Sequence, residues 1–204
     1  MDELSKEYVI SYYSKSLNFH GDTPAAVKWT GQGQLLRFES LLNLNGDISG
    51  CKVLDYGCGK GDFYQFLTDM GIDVDYVGFD INKDMVALAR RKFPQCRFEI
   101  FDIEKDTLDE DFDYIFLCGV FNLKLEGIYE TVKNVLSRLF KHCRHTLVFN
   151  ALSSHDPRKD FELHYISPED IYDFAAADIS PYVALRQNKG LYDFNLFIYK
   201  SDKH

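Results

Sequence analysis

The chain contains no run of about 18 apolar residues, and its first residues, MDELSKEYVISYY, lack a basic stretch followed by an apolar one. These absences argue against a membrane-spanning helix and against an export signal. The five cysteines are odd in number and form no CxxC pair, so neither a disulfide framework nor a zinc site is indicated. We therefore expect a soluble cytoplasmic protein with no metal site.

Basic residues are scarce relative to acidic ones. The sequence has 23 Lys and Arg against 32 Asp and Glu, and its formal net charge is -9. Because nucleic-acid binding depends largely on clustered Lys and Arg, a nucleic acid is a poor candidate partner. The 204 residues suit one domain that can bury a core of its own.

An apolar strand runs directly into a glycine-rich loop in the segment VLDYGCGKGD. Gly57, Gly59 and Gly61 lack the Cβ atoms that would keep a ligand away from the backbone, and the next helix directs unpaired N–H groups into the same space. Asp80 ends the following strand, where its carboxylate can accept hydrogen bonds from the two hydroxyls of a ribose. Together these features predict a bound nucleoside.

The spacing of the loop helps to identify the nucleoside. A dinucleotide fingerprint reads GxGxxG, whereas this loop reads GxGxG, so the third glycine is misplaced for NAD. Asp55 stands two residues before the first glycine, where it would repel a pyrophosphate but attract the ammonium group of a methionine moiety. An NAD enzyme remains the weaker alternative.

Over roughly residues 50 to 150 the chain resembles the class I methyltransferases, which use S-adenosylmethionine as cofactor. Asp55 and the three glycines, with Cys58 between them, match the first motif of that family. Asp80, followed by Ile81, matches its ribose-binding position. The resemblance therefore implies that S-adenosylmethionine is the cofactor.

Two further segments extend the resemblance. In FEIFDIEKD, the family pattern implies that Asp102 accepts a hydrogen bond from the adenine amino group and that Ile103 offers its backbone N–H. In FDYIFLCGVFN, it implies that the end of the strand, at Cys118, flanks the methionine portion.

Five residues are candidates for the acceptor side of the site. Phe121 and Asn122 directly follow the fourth predicted strand and are candidates to line the pocket. His155 or Tyr165 could act as a general base if the nucleophile were a hydroxyl. In the N-terminal segment, Trp29 could cover the site, although a tryptophan is more often a packing residue.

Arg37, also in the N-terminal segment, could pair with the methionine carboxylate or with an acidic acceptor. We name no catalytic residue. A sulfonium is a good leaving group, and placing the nucleophile in line with the methyl group supplies much of the acceleration.

The pattern of apolar residues predicts an α/β fold. From Lys52 onward, apolar strands alternate with helices, as in βαβ units with a parallel sheet covered on both faces. Two helices are expected before the sheet, with Leu4, Tyr8 and Tyr12 forming the apolar stripe of the first. The predicted helices cover residues 2–18, 31–44 (ended by Asn45 and Gly46) and 126–142, with another starting near 167, and the predicted strands cover 52–56, 74–79, 97–101, 112–118 and 144–150.

The last two apolar segments are separated by NKGL and indicate an antiparallel hairpin. We therefore expect one Rossmann-like domain over residues 1–204, with a doubly wound, seven-stranded mixed sheet. In this arrangement residues 1–46 form a helical lid segment, and residues 50–204 form the core with its C-terminal hairpin.

The leading functional hypothesis is an enzyme that transfers the methyl group of S-adenosylmethionine to an oxygen or nitrogen of a small-molecule acceptor. The alternative is a non-catalytic protein of the same fold that binds the nucleoside and serves as a partner subunit or sensor. The sequence leaves the acceptor and the oligomeric state open.

Overall fold

The computed structural model describes residues 1–44, 46–188 and 190–201. Two positions named above lie outside these ranges: Asn45, one of the two predicted helix-ending residues, and Lys189, in the predicted hairpin turn.

A seven-stranded mixed sheet with helices on both faces confirms the predicted fold class. The strands are β1 Lys52–Tyr56, β2 Asp75–Asp80, β3 Arg97–Ile100, β4 Phe112–Cys118, β5 Cys143–Leu152, β6 Val183–Asn188 and β7 Asp193–Tyr199. They lie in the order β3-β2-β1-β4-β5-β7-β6. Within the described residues, the pairs β5–β7 and β6–β7 of this sheet are antiparallel and the other pairs are parallel. The α-helices are α1 Glu3–His20, α2 Gly31–Leu41, α3 Asp62–Asp69, α4 Lys83–Lys92, α5 Ile128–Lys141 and α6 Pro168–Asp178, and a short 3-10 helix spans Pro24–Val27.

The order of the strands reverses at β1. The chain first builds outward from β1 to β2 and β3, and then returns to place β4 on the other side of β1. Connections leaving β1 and β4 therefore diverge and leave a crevice beyond the carboxyl ends of these strands, which is where open α/β sheets bind ligands.

The two faces of the sheet carry separate apolar cores because successive side chains of a strand point to opposite faces. On β1 and β4, Val53 and Phe116 pack with α2, α3 and α4, whereas Leu54 and Ile115 pack with α5 and α6. Burial of these strands on both faces holds their carboxyl ends in fixed positions, so the residues that follow them have defined places.

Helix α1 buries a different face from the one expected from the sequence. Leu4 and Tyr8, two of the three residues assigned above to the apolar stripe of α1, are 77% and 52% exposed, so α1 does not bury that stripe. The buried side chains of α1 are instead Lys6 and Ser16. Lys6 can be buried because its ammonium group donates to Asp102, 96 positions away, and the Ser16 hydroxyl donates to the Ala25 carbonyl; a local apolar pattern indicates neither partner.

Some helix boundaries also differ from those expected. Helix α2 ends at Leu41, three residues earlier than predicted. Helix α5 begins at Ile128, two residues later than predicted, because Gly127 has a left-handed backbone with a φ of 68° and cannot belong to the helix. The predicted start of α6 is confirmed: the Ser167 hydroxyl accepts a hydrogen bond from the Asp170 N–H, and Pro168 occupies the first position.

Candidate functional site

A cavity lies beyond the carboxyl ends of β1, β2, β3 and β4, between the edge of the sheet and the N-terminal helices. We call the sheet side of this cavity the strand wall, formed by the lining residues within 55–60, 62–63, 80–82, 101–102, 104 and 118–121. The side formed by α1, the 3-10 helix and α2 is called the helical cover. Of the predicted site residues, those that line the cavity are Asp55, Gly57, Cys58, Gly59, Asp80, Ile81, Asp102, Cys118, Phe121 and Trp29.

The glycine loop approaches the fourth strand so closely that Gly57 has no room for a side chain. A Cβ at Gly57 would lie 2.5 Å from Val120 Cγ2, and the backbone of Gly57 has a φ of 82°. Its N–H donates to the Phe79 carbonyl at 2.7 Å, which joins the loop to the end of β2. Gly57 is therefore required by close packing against Val120, and its predicted role in ligand binding stays a prediction.

Asp80 links the loop to the start of α4. Its Oδ2 accepts a hydrogen bond from the Gly59 N–H at 2.8 Å, and its Oδ1 accepts one from the Asn82 N–H at 2.8 Å. Burial raises the pKa of Asp80, while these backbone hydrogen bonds oppose the rise. A carboxylate held in this way presents its remaining lone pairs to the cavity in a fixed direction.

Asp55 is the most deeply placed carboxyl group of the strand wall. It is 3% exposed, and the Tyr76 hydroxyl donates to its Oδ2 at 2.6 Å. Burial raises the pKa of Asp55 to about 7; the Tyr76 hydrogen bond opposes this rise, and the negative charges of Asp80 and Asp62 add to it. A cationic group in the cavity would stabilise the ionised form of Asp55.

Asp102 lies where β3 ends, but its carboxylate already has a partner in the helical cover. Its Oδ2 is 2.6 Å from Lys6 Nζ, and the same ammonium group is 3.1 Å from Glu104 Oε2. Burial alone would lower the pKa of Lys6, but the hydrogen bonds to Asp102 and Glu104 outweigh burial and raise it. Lys6 thus attaches α1 to the strand wall at the end of the cavity nearest β3.

A second polar cluster lines the cavity. It consists of three residues that were not selected as site residues from the sequence. Lys60 Nζ lies 2.6 Å from Asp62 Oδ1, and Gln34 Nε2 donates to Asp62 Oδ2 at 2.8 Å. Lys60 is only 3% exposed. Its position between Gly59 and Gly61 could have identified it, because an ammonium group in a ligand-binding loop is placed to bind an anionic group.

The ionisable residues that line the cavity are mostly acidic. The carboxyl groups are those of Asp55, Asp62, Asp80, Asp102 and Glu104, and the ammonium side chains are those of Lys6 and Lys60. Such a cavity favours a ligand with positive charge and disfavours a pyrophosphate. The residues therefore fit S-adenosylmethionine, which carries a sulfonium and an ammonium group together with one carboxylate.

The end of the cavity beside β4 is apolar. Trp29 lies against Gly119, where an added Cβ would be 2.5 Å from Trp29 Cζ2. Phe121 and Cys118 line the same region. Burial raises the pKa of the Cys118 thiol well above its ordinary value, so this thiol stays protonated near neutral pH and is a poor nucleophile.

Six predicted site residues do not line the cavity. Arg37 forms an ion pair with Asp193, its Nε lying 2.8 Å from Asp193 Oδ2. The Ile103 N–H donates to the Tyr56 hydroxyl at 3.4 Å, so this donor has a protein partner. Gly61 is the N-cap residue directly before α3, and Asn122 lies beside Gly119. The roles assigned to these residues stay predictions.

His155 and Tyr165, the two candidate general bases, are also outside the cavity. The His155 side chain is half exposed, and its Nε2 lies 3.4 Å from Glu169 Oε2 in the first turn of α6. The Tyr165 hydroxyl accepts a hydrogen bond from the Asp160 N–H at 2.8 Å. His155 is thus held outside the cavity by its contact with α6, and Tyr165 by its contact within the segment after β5.

Within residues 1–44, 46–188 and 190–201, no group of three or more His, Cys, Asp or Glu side chains could hold a metal ion. In the same part of the chain, no helix is long and apolar enough to cross a membrane.

Comparison with known proteins gives matches over most of the chain. A family model described as "Methyltransferase domain" matches residues 47–154. A protein of Mycobacterium tuberculosis (strain ATCC 25618 / H37Rv) whose name assigns it to the methyltransferases is 29% identical over 155 residues, which are 73% of this chain and 93% of that protein. A similarly named protein of Invertebrate iridescent virus 6 is 24% identical over 156 residues, which are 72% of this chain and 59% of the viral protein.

Among solved structures, the chain is similar to magnesium protoporphyrin IX methyltransferase from Synechocystis PCC 6803, whose crystal structure contains SAH. The TM-score is 0.72, the sequence identity is 16%, and the match covers 97% of this chain and 99% of the other. At this identity the similarity concerns the fold.

Proposed function

Because this chain belongs to the family of methyltransferase domains and is an S-adenosylmethionine-dependent methyltransferase, we propose that it transfers a methyl group to an oxygen or nitrogen of a small-molecule acceptor. One observation carries the cofactor side of this proposal. The glycine loop, Asp55 and Asp80 come together in a mostly acidic cavity at the point where the strand order reverses.

Each part of the strand wall has a chemical role in this proposal. Asp80 accepts hydrogen bonds from the ribose hydroxyls, and ionised Asp55 attracts the ammonium group of the methionine moiety. Lys60 and Gln34, through groups now in contact with Asp62, are placed to bind the methionine carboxylate. When bound, S-adenosylmethionine supplies a methyl group activated by the positive sulfur.

Asp102 has a narrower role, because its two oxygens accept hydrogen bonds from Lys6 Nζ and the Glu104 N–H. A carboxylate offers about four lone-pair positions, so the adenine amino group can be accepted beside these partners. The contact with Lys6 then orients Asp102 and connects adenine binding to the position of α1.

The acceptor proposal is supported by the enclosure of the site. The helical cover lies across the cavity and leaves an apolar end at Trp29, Val120 and Phe121, which suits a small molecule better than a polymer. The net charge of -9 also disfavours a nucleic acid. An enclosed site accelerates methyl transfer because it excludes water and holds the nucleophile in line with the methyl group.

We extend the proposal to a cytoplasmic location. The five cysteines are free thiols in the described residues, and a reducing compartment keeps thiols in this state.

Calorimetric titration of the purified protein with S-adenosylmethionine and S-adenosylhomocysteine, with NAD as control, tests the cofactor site. We expect binding of the first two ligands only. An acceptor screen with methyl-labelled cofactor then tests transfer to oxygen or nitrogen compounds. NAD binding without binding of the other two would overturn the proposal, whereas cofactor binding without transfer to any acceptor class would favour the sensor alternative.

A further inference from the structure

A buried ion pair joins the helical cover to the far side of the sheet. Arg37 lies on α2, and Asp193 begins β7; the side chains are 11% and 0% exposed. Arg37 Nε and Asp193 Oδ2 are 2.8 Å apart, but neither atom has an aligned hydrogen-bond partner, so the contact is mainly one between charges. This pair lies outside the cavity and has no role in the function proposed above.

A network of neutral polar groups surrounds the pair and fixes its position. Asn188 Nδ2 donates to Asp193 Oδ1 at 2.7 Å and also to Ser40 Oγ at 3.1 Å. Asn195 Nδ2 donates to the same Ser40 oxygen at 2.8 Å, and the Ser40 hydroxyl donates to the Arg37 carbonyl at 2.7 Å. Both the side chain and the backbone of Arg37 are therefore held by β6 and β7.

The guanidinium of Arg37 also lies over the ring of Trp29. The Arg37 Cζ atom is 5.1 Å from the centre of the indole, within the range of a cation–π contact. The indole makes an edge-to-face contact with Phe38, at 6.0 Å between ring centres, and its Cζ2 and Cη2 atoms lie against Gly119. Trp29 is thus held between α2 and the end of β4, and it lines the cavity.

The energetics of the pair favour a positioning role over a purely stabilising one. A buried ion pair contributes little net stability compared with well-packed apolar side chains of similar volume, because both charges lose their hydration. Apolar side chains would fill this space without directing a planar cation onto the indole. The charge of Asp193 holds the guanidinium in this place, and the hydrogen bond that Arg37 Nη1 donates to the Gly33 carbonyl at 3.3 Å orients it over the indole.

We propose that Asp193 and Arg37 are positioning residues that hold Trp29 across Gly119, so that the indole closes the cavity where β4 ends. This inference rests on the proposed function, since the ligand enclosed by Trp29 is the cofactor with its acceptor. It replaces the direct contact between Arg37 and the methionine carboxylate expected from the sequence with an indirect action through Trp29.

The chain offers a direct readout because Trp29 is its single tryptophan. Acrylamide quenching of tryptophan fluorescence in the ligand-free protein reports how well the indole is covered. Arg37→Lys keeps the positive charge near Asp193 but removes the planar group from the indole. We expect stronger quenching and a dissociation constant for S-adenosylhomocysteine about tenfold higher, a loss comparable to one desolvated cation–π contact.

Arg186→Lys is the matched control. Arg186 lies over the Phe197 ring at 5.4 Å, on β6 and outside the residues that line the cavity, so the same substitution there should change neither quenching nor affinity. The double variant Arg37→Met with Asp193→Leu replaces the pair by apolar groups and avoids leaving one charge buried alone. We expect this variant to fold and to show the same two changes as Arg37→Lys.

The results separate failure of this inference from failure of the proposed function. If the unmodified protein binds no S-adenosylhomocysteine, the proposed function fails, while quenching in the ligand-free variants still decides whether the pair positions Trp29. If the unmodified protein binds the ligand and both Arg37 variants keep its quenching and affinity, the pair has a structural role only and the inference is wrong.

Discussion

The strand wall and the helical cover face each other across the same cavity, but they are held by contacts of different range. In the strand wall, the hydrogen bond from the Gly59 N–H to Asp80 joins residues 21 positions apart. In the cover, the contact between Lys6 and Asp102 joins residues 96 positions apart, and Arg37 is held by Asp193 in the last strand.

This difference has a physical consequence. The strand wall is fixed by four adjacent parallel strands, of which β1, β2 and β4 are largely buried on both faces. The cover contributes few buried apolar side chains from α1 and depends on charged contacts. Segments with few buried apolar contacts open at lower free energy than core strands. We therefore expect α1 to open before α2, whose Phe38 and Leu41 are buried in the core, and this opening gives ligands a route into the cavity.

The largest effect is expected where the two sides touch, at Gly119. Gly119→Ala would place a Cβ 2.5 Å from Trp29 Cζ2 at a backbone φ of 67°. Overpacking and the left-handed backbone together should lower the free energy of unfolding by about 3 kcal/mol. Urea denaturation measures this change, and tryptophan emission should shift because Trp29 is displaced.

Gly71→Ala is the control for Gly119→Ala. Gly71 has a similar φ of 72°, but nothing lies within 4 Å of an added Cβ. We expect a loss of only about 1 kcal/mol from the backbone alone, with unchanged tryptophan emission. Equal losses in the two variants would show that the contact between Trp29 and Gly119 contributes nothing.

A somewhat smaller effect is expected from detaching α1. Lys6→Met leaves Asp102 and Glu104, which are 13% and 15% exposed, without their shared cation. Glu104 keeps the N-terminal ammonium group of Met1 at 3.0 Å, but the charge of Asp102 loses its cation, which should lower the free energy of unfolding by about 2 kcal/mol. Lys105→Met removes an ion pair with Glu3 that also joins α1 to this loop but is well exposed, so its loss should be close to zero. Equal stability of the two variants would contradict the role given to Lys6.

On the strand wall, Asp80→Ala tests the ribose contact. Loss of hydrogen bonds to a charged group should weaken binding of S-adenosylhomocysteine by about 2 kcal/mol, measured by calorimetry on variants whose circular dichroism shows the native fold. Asp75→Ala changes an exposed carboxylate at the opposite end of the same strand and should leave affinity unchanged. A folded Asp80→Ala variant with unaltered affinity would remove Asp80 from the ribose site.

The smallest effect concerns the ionisation of Asp55. Because burial raises the pKa of Asp55 to about 7, the carboxyl group of the ligand-free protein is mostly protonated at pH 5.5. If a bound ammonium group requires the ionised form, affinity for S-adenosylhomocysteine should rise about tenfold between pH 5.5 and pH 7. Asp55→Asn should abolish this rise. The same slope in both proteins would mean that another group controls the pH dependence.

The raised pKa of Asp55 also affects stability in a defined direction. The folded protein holds this proton up to about pH 7, whereas the ordinary value is 3.8. Its contribution to stability is therefore full below about pH 4 and is lost as the pH rises through 7. Ligand binding and folding stability should thus change in opposite directions over this interval.

Much of the strand wall could be predicted from the sequence because its determinants are local. The apolar alternation predicted the strands, and the glycines, Asp55 and Asp80 stand at strand ends, so the parallel arrangement alone brings them together. Lys60 could have been included on the same basis, since it lies inside the predicted loop. The residues after β5 were less predictable, because a loop position does not reveal whether His155 faces the cavity or α6.

The amino-acid sequence alone is enough to place the strands along the chain, the glycine loop and the carboxylates at strand ends, because side-chain periodicity and backbone sterics act over a few residues. Only the tertiary structure decided that α1 buries Lys6 and leaves Leu4 exposed, and that Arg37 contacts Asp193. Those outcomes depend on which distant charges meet when the chain folds, and the residues adjacent to Lys6 or Arg37 carry no information about partners 96 or more positions away.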